Sequence, residues 1–383
     1  MDPVYLDHNA TTPLEPRVLA AMMPALEATG NASSVHGFGR RAAEAVETAR
    51  DQVAALLGVR PRELVFTASG SEANNAVLGT MSELHGGGHV VVSAFEHPSI
   101  LAAAARLEER GFAVSRVRPE PTGRVSPAAI AGELRDDTRL VCLMLANNEI
   151  GALQPVAEVA ELARARGVPV LCDAVQAVGK VPVAVPDLGV DYLTVGAHKF
   201  YGPLGAAALW IRGGAGFSPL LVGGSQERRR RAGTLNVPAL VGLGAAAALV
   251  AAELEGWARH MARLRDAFEA GLGAIGGTAV HAAAVPRLPN TSNVAFHGVD
   301  AEALMVRLDL RGFAVSTGSA CASGVVEVSE TMRALGVDEE VAAASLRVSF
   351  GKDSPERAAE WLLAALREEV EALRELAAAG ARR

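Results

Sequence analysis

Lys199 stands in TVGAHKFYGPLG, directly after an apolar strand-like run and before a glycine-rich turn, a setting that leaves its amine at the mouth of a cleft. A lysine so placed can form a Schiff base with a carbonyl compound, although an isolated lysine at a strand end is most often a solvated cation. Asp173 ends the preceding run VPVLCDA, and parallel neighbours would put its carboxylate on the same strand-end edge as the lysine amine. A buried carboxylate needs a cationic partner. The protonated ring nitrogen of pyridoxal phosphate supplies one; taken alone, Asp173 reads equally as a helix cap or a metal ligand. In FTASGSEANN a strand gives way to small residues and a helix predicted to open at Ser71. The free amides of a helix start favour an anion, though an ordinary serine cap explains the same residues. His97, in SAFEHPSI, follows another apolar run, where an imidazole can stack on an aromatic ligand or exchange protons near neutral pH. A lone histidine is more often structural.

These residues sit at the ends of ELVFTA, HVVVSA, VPVLCDA and DYLTVGA, which with RLVCLMLA and AAALWI alternate with helical patterns over 72–84, 99–110 and 155–166. That order predicts an α/β large domain over residues 14–256, a mostly parallel sheet covered by helices. From residue 257 the texture changes to a long helical stretch, then VAFHG, AEALMVRLDLRG, LRVSFG and a charged amphipathic helix, which predicts a smaller α+β domain formed by 257–383 with 1–13.

With 383 residues, half of them apolar, the chain can bury a sizeable core. A net charge of -7 argues against nucleic acid or an anionic membrane as the main partner. The arginine run 228–231 is expected to be a solvated face or a subunit contact. Three scattered cysteines, Cys142, Cys172 and Cys321, form neither a disulfide framework nor a Cys-x-x-Cys metal site. A reducing cytoplasmic setting without a resident metal or a membrane span is the expectation.

Nine segments in order, YLDHNATTP, GNASSVHGFGRRA, the pair Glu96-His97, NNEIGALQP, CDAVQAVGK, AHKFYGP, RRAGTLN, STGSAC and SLRVSFG, resemble the NifS/IscS-type cysteine desulfurases. These belong to class V of the fold-type I pyridoxal-phosphate enzymes, and the likeness runs from near residue 5 to near residue 350. It implies an enzyme that turns L-cysteine into L-alanine and keeps the sulfur as a persulfide on one of its own cysteines. Residue by residue, it implies that Lys199 holds the cofactor covalently, Asp173 pairs with its ring nitrogen and His97 stacks on the ring as part of the catalytic set. Gln176 and Asn148 tune the phenolic oxygen or meet the substrate. Gly70, Ser71 and His198 match phosphate-binding positions, and Thr234 matches one that reaches the phosphate from the other subunit of a homodimer. Arg347 matches the arginine that grips the substrate carboxylate, a task suited to its planar fork.

Cys321, in STGSACASG, matches the persulfide-forming nucleophile. An iron–sulfur scaffold or another sulfur acceptor is the implied partner, and a transient iron–sulfur ligand is the one metal role implied for Cys321. Cys142 and Cys172, inside apolar runs, are expected to be buried.

Two departures from the family pattern stand out. Gly196 replaces the usual serine or threonine two residues before the His-Lys pair, so one phosphate hydrogen bond is expected to be missing; a serine restored there would be harmful only if the position demands a positive φ. Residues 68–71 read Ala-Ser-Gly-Ser where SGAT is commoner. A selenocysteine lyase or another class V aminotransferase would use the same cofactor residues, with the Cys321 segment as the discriminator. A non-catalytic sulfur-transfer scaffold is opposed by the intact Lys199, Asp173 and Arg347.

Overall fold

The strands that build the site are short apolar runs whose alternate residues enter two different cores. In the computed structural model, which describes residues 2–318 and 329–380, a seven-stranded sheet forms the centre. Numbering all strands in chain order, β1 is Val4–Tyr5, β2 Leu64–Thr67, β3 Gly88–Ser93, β4 Phe112–Val117, β5 Thr138–Cys142 and β6 Val170–Asp173. Then follow β7 Tyr192–Gly196, β8 Ala207–Ile211, β9 Thr278–Val280, β10 Thr291–Phe296, β11 Phe313–Ala314 and β12 Ser345–Ser349. The large sheet has the order β2-β8-β7-β6-β5-β3-β4, and only β8 runs against its neighbours. Val90 and Val92 of β3 pack into one core while Val91 joins the other, the period-2 signature of a sheet covered on both faces.

The predicted helices appear as Gly70–His85, Pro98–Glu109 and Val156–Ala165. The first opens at Gly70, one residue before the expected start, because Ser69 is its cap: its side chain accepts a hydrogen bond from the Glu72 amide at 3.1 Å. The edge strand β4 has no counterpart among the apolar runs, since its interior residues Ala113 to Arg116 are not buried.

A second, smaller core joins the antiparallel sheet β12-β10-β9 and the parallel pair β1-β11 to the end of the helix Val237–Gly271 and to the helix Ala358–Gly380. Val237–Ala274 is a helix long and apolar enough, by length and composition, to cross a membrane, and half of its most apolar stretch is buried inside the protein. Here Leu240, Leu243, Ala247 and Val250 lie in the core, and the helix packs against Pro16–Glu27 and Gly37–Leu57. The segment after β1 stitches the two parts together: Asp7 bridges to Ser349 of β12, and the Thr12 amide donates to the carbonyl of His198 at 2.8 Å.

Candidate active site

Parallel pairing of β6 with β7 brings the two strand ends together, and with them Asp173 and Lys199, at one cavity of about 420 Å³. Asp173 is 6% exposed. Its Oδ2 accepts a hydrogen bond from Asn74 Nδ2 at 2.7 Å and its Oδ1 accepts one from the Val175 amide at 2.9 Å. Among the described residues it has no cationic partner, so a buried negative charge rests on neutral donors and faces the cavity. Asn74, one turn into the helix Gly70–His85, was not singled out from the sequence. Its signal is the i+4 spacing from Gly70.

Lys199 Nζ donates to the carbonyl oxygens of Asn9 at 2.5 Å and Ala10 at 2.7 Å. Burial, with the Arg347 charge acting in the same direction, pushes its pKa down to about 8, against the pull of Asp7 and Asp173. Gln176 Nε2 donates to the same Asn9 oxygen at 2.6 Å, and Lys180 Nζ supports both partners from behind, reaching Gln176 Oε1 and the Lys199 carbonyl at 3.3 Å each. Lys180 itself is buried, and desolvation first, then Lys199 and Arg347, lower its pKa to about 7.

His97 caps the helix Pro98–Glu109, and its Nδ1 lies 3.1 Å from the donating Ser99 amide and 2.8 Å from Ser99 Oγ. Nε2 is the nitrogen left for anything in the cavity, which the ring lines. Partial desolvation lowers the His97 pKa, with Asp173 acting against it and Lys199 with it. Beside it in the chain Glu96 is fully buried; burial raises its pKa to about 8, and Oε1 accepts from Ser93 Oγ and the Met144 amide while Oε2 has no partner among the described residues.

Gly70 and Ser71 present the opening of their helix to the cavity. A side chain at 70 would start 2.9 Å from Val175 Cγ2, which accounts for the glycine. His198, on the short turn after β7, also lines the cavity; burial and then the Lys199 and Lys180 charges lower its pKa to about 4, so it acts as a neutral group. Gly196 has φ -131 and ψ 123, ordinary extended backbone, and an added Cβ would meet Val175 Cγ1 at 3.5 Å. The position therefore makes no demand for positive φ.

The opposite wall comes from β12. Arg347 is almost fully buried; Nη2 pairs with Asp7 Oδ1 at 2.6 Å, Nη1 donates to the Asn148 carbonyl at 3.1 Å, and Nε has no partner among the described residues. Asn148 and Gln176 line the same cavity. Glu149, next along, is buried and receives the Ser329 hydroxyl. Burial raises its pKa, the Ser329 and Thr331 hydrogen bonds and Arg347 opposing.

Nine of the eleven residues given a site role from the sequence, all but Thr234 and Cys321, therefore line one cavity. Thr234 lies outside it, exposed on the loop before the helix Val237–Gly271. Cys321 lies outside the described residues; Ser316 and Gly318 just before it line the cavity. Cys142 and Cys172 are buried, and desolvation raises both thiol pKa values well above normal.

A buried carboxylate lacking a cation, a helix opening for an anion and a lysine amine that is readily deprotonated are what pyridoxal phosphate requires, and the cavity fits it.

The class-V aminotransferase family model matches residues 4–360. A cysteine desulfurase of Rhodobacter capsulatus is 44% identical over 375 residues, covering 97% of both chains. The cysteine desulfurase IscS of Methanosarcina thermophila is 40% identical over 376 residues, 97% of this chain and 93% of that protein. A solved NifS-like protein superimposes with a TM-score of 0.90 at 35% identity, covering 96% of this chain and 99% of that one. A cavity built for pyridoxal phosphate and similarity over nearly the whole length place this chain in the class-V aminotransferase family, among its cysteine desulfurases.

Proposed function

We propose that this enzyme takes sulfur from L-cysteine onto Cys321, releases L-alanine and holds the sulfur as a persulfide for an acceptor. The observation that carries the reading is the buried Asp173 carboxylate, supported among the described residues by neutral donors alone, sharing one cavity with Lys199 and Arg347.

When bound, pyridoxal phosphate supplies a carbonyl that condenses with an amine and a ring that accepts electrons from the substrate's α-carbon. Asp173 would keep a proton on the ring nitrogen, because a carboxylate in low dielectric favours the charged partner. Lys199 would hold the cofactor, and its free amine could take the substrate's α-proton at Nζ; a pKa of about 8 suits both tasks. His97 offers Nε2 to the reacting side, its Nδ1 being engaged by Ser99. The Gly70 and Ser71 amides with neutral His198 hold the phosphate, and Arg347 orients the substrate carboxylate. Cys321 Sγ then attacks the substrate sulfur. An S–S bond forms, the Cβ–S bond breaks, and its electron pair ends in a C–H bond of alanine.

The proposal extends to a cytoplasmic homodimer in which Thr234 of each subunit reaches the phosphate end of the other's cavity, with an iron–sulfur scaffold as sulfur acceptor. Exposed Val35 and Phe38 and the apolar groove between Leu26, Phe38 and Leu235 support a second copy there.

Incubation of the holoenzyme with L-cysteine under reductant should give alanine and sulfide in equal amounts, and mass spectrometry without reductant should place one added sulfur on the Cys321 peptide. The Cys321→Ser variant should bind cofactor but make no persulfide. Full alanine production by that variant, or sulfur on Cys142 or Cys172, would return the reading to a lyase or an aminotransferase.

A further inference from the structure

The arginine assigned to the substrate carboxylate already has a carboxylate on it. Asp7 Oδ1 sits 2.6 Å from Arg347 Nη2, and both residues line the cavity. The side chain of Asp7 is 21% exposed against 5% for Arg347, so the accessible side of the pair is the aspartate. The backbone of Asp7 is fixed: it bridges to Ser349, two residues beyond Arg347 on β12, and its carbonyl accepts the Tyr5 hydroxyl at 3.0 Å. Only its side chain is free to yield. Arg347 is held on its other flank by the Asn148 carbonyl at 3.1 Å, and its buried Nε has no partner among the described residues.

The geometry points to Asp7 as a specificity residue, an internal carboxylate that competes with the ligand's carboxylate for Arg347 and so excludes acids that bring no amino group. The inference rests on the reading of Arg347 as the substrate-carboxylate site. An incoming carboxylate exchanges one anion for another on the guanidinium and meets a like charge on the way, so the exchange alone gains little. L-cysteine makes up the difference because its amino group is captured at Lys199's position. A plain carboxylic acid cannot. Asp7 also carries the negative charge that counters Arg347 near Lys199, where it supports the protonated amine.

The test uses the holoenzyme and propionate, which is alanine without its amino group. Asp7→Asn should strengthen competitive inhibition by propionate about tenfold, lower KM for L-cysteine by a smaller factor and, in the apoprotein, lower the pH at which cofactor uptake by Lys199 levels off. Asp7→Glu should keep weak, wild-type inhibition. Asp7→Ser removes the same charge and stands in should the asparagine variant fail to fold, as judged by thermal melting. Unchanged or weaker propionate inhibition in the folded neutral variants overturns the inference and makes Asp7 a prop for Arg347. Arg347→Ala separates the two readings: if it leaves both KM and propionate inhibition unchanged, the assignment of Arg347 fails, whereas a raised KM there with no Asp7→Asn effect sinks only the role of Asp7.

Discussion

Asn74 and Asp173 are joined by a hydrogen bond of 2.7 Å, Nδ2 to Oδ2, that closes the floor of the cavity with a neutral donor. Asp173→Asn cannot satisfy both neighbours, because an amide offers one acceptor oxygen to two donors, Asn74 Nδ2 and the Val175 amide. Loss of the charge also removes the partner proposed for the ring nitrogen. A hydrogen bond to a charged group contributes about 1.5–3 kcal/mol, so turnover should fall by roughly 10- to 150-fold. Steady-state alanine formation measures this, and an undiminished rate counts against the pairing.

The apoprotein should take up cofactor with a pH dependence set by Lys199. Only the neutral amine attacks a carbonyl, and its pKa is depressed to about 8. Below that value the uptake rate should climb roughly tenfold per pH unit, and above it the rate should level off. An unperturbed lysine, with a pKa of about 10.4, would still be gaining past pH 9. Stopped-flow absorbance distinguishes the two profiles.

Gly196→Ser should fold normally. Its backbone is extended and the new Cβ falls at contact distance from Val175, so the stability change should stay under about 1 kcal/mol. A serine hydroxyl toward the phosphate end adds a charge-assisted hydrogen bond, and cofactor dissociation should slow by about tenfold or more. Faster dissociation, or a large drop in melting temperature, contradicts this.

Arg229→Gly should stabilise the protein. Glu227, Arg228 and Arg229 have φ of 46, 57 and 65, three successive side-chain-bearing residues in left-handed backbone. The turn is held by Glu227, whose carboxylate receives Arg50 Nη2 at 2.7 Å and the Phe66 amide at 2.8 Å. Left-handed backbone costs about 1–2 kcal/mol per such residue, and glycine's extra unfolded-state freedom offsets part of the relief. A net gain of about 0.5–1 kcal/mol, read as a higher melting temperature, is expected; a lower one shows that the Arg229 side chain itself supports the turn.

The sequence revealed the residues whose chemistry is local to a strand end. Asp173, Lys199 and His97 each follow an apolar run, and parallel pairing alone brings such ends to one edge. Residues that act by meeting something distant were within quoted motifs yet carried no assignable role: Asp7 on Arg347, the Asn9 carbonyl shared by Lys199 and Gln176, Asn74 under Asp173, and Lys180 behind Gln176. No periodicity encodes a contact between a backbone oxygen and a side chain 190 positions away. The arginine run turned out to be neither wholly solvated nor free: Arg231 pairs with Glu72 at 2.8 Å, and Arg230 donates to the carbonyls of Arg62 and Leu64. Two-residue strands such as β1 and β11 offer no pattern to detect; their pairing exists because Val4 and Phe313 share a core.

The pairing of Asp7 with Arg347 across 340 positions of chain also fixes a schedule for biogenesis. On a ribosome adding roughly 5–20 residues per second, the segment around Asp7 emerges on the order of 20–70 s before its partner on β12 is made. During that interval the large sheet, complete by Ile211, can form with Lys199 on its edge. The β12 wall with Arg347, proposed to receive the substrate carboxylate, does not yet exist. A nascent chain is thus expected to acquire its capacity to capture cofactor well before its capacity to select an amino acid, and ribosome-bound chains stalled between these two points should take up pyridoxal phosphate without turning over L-cysteine.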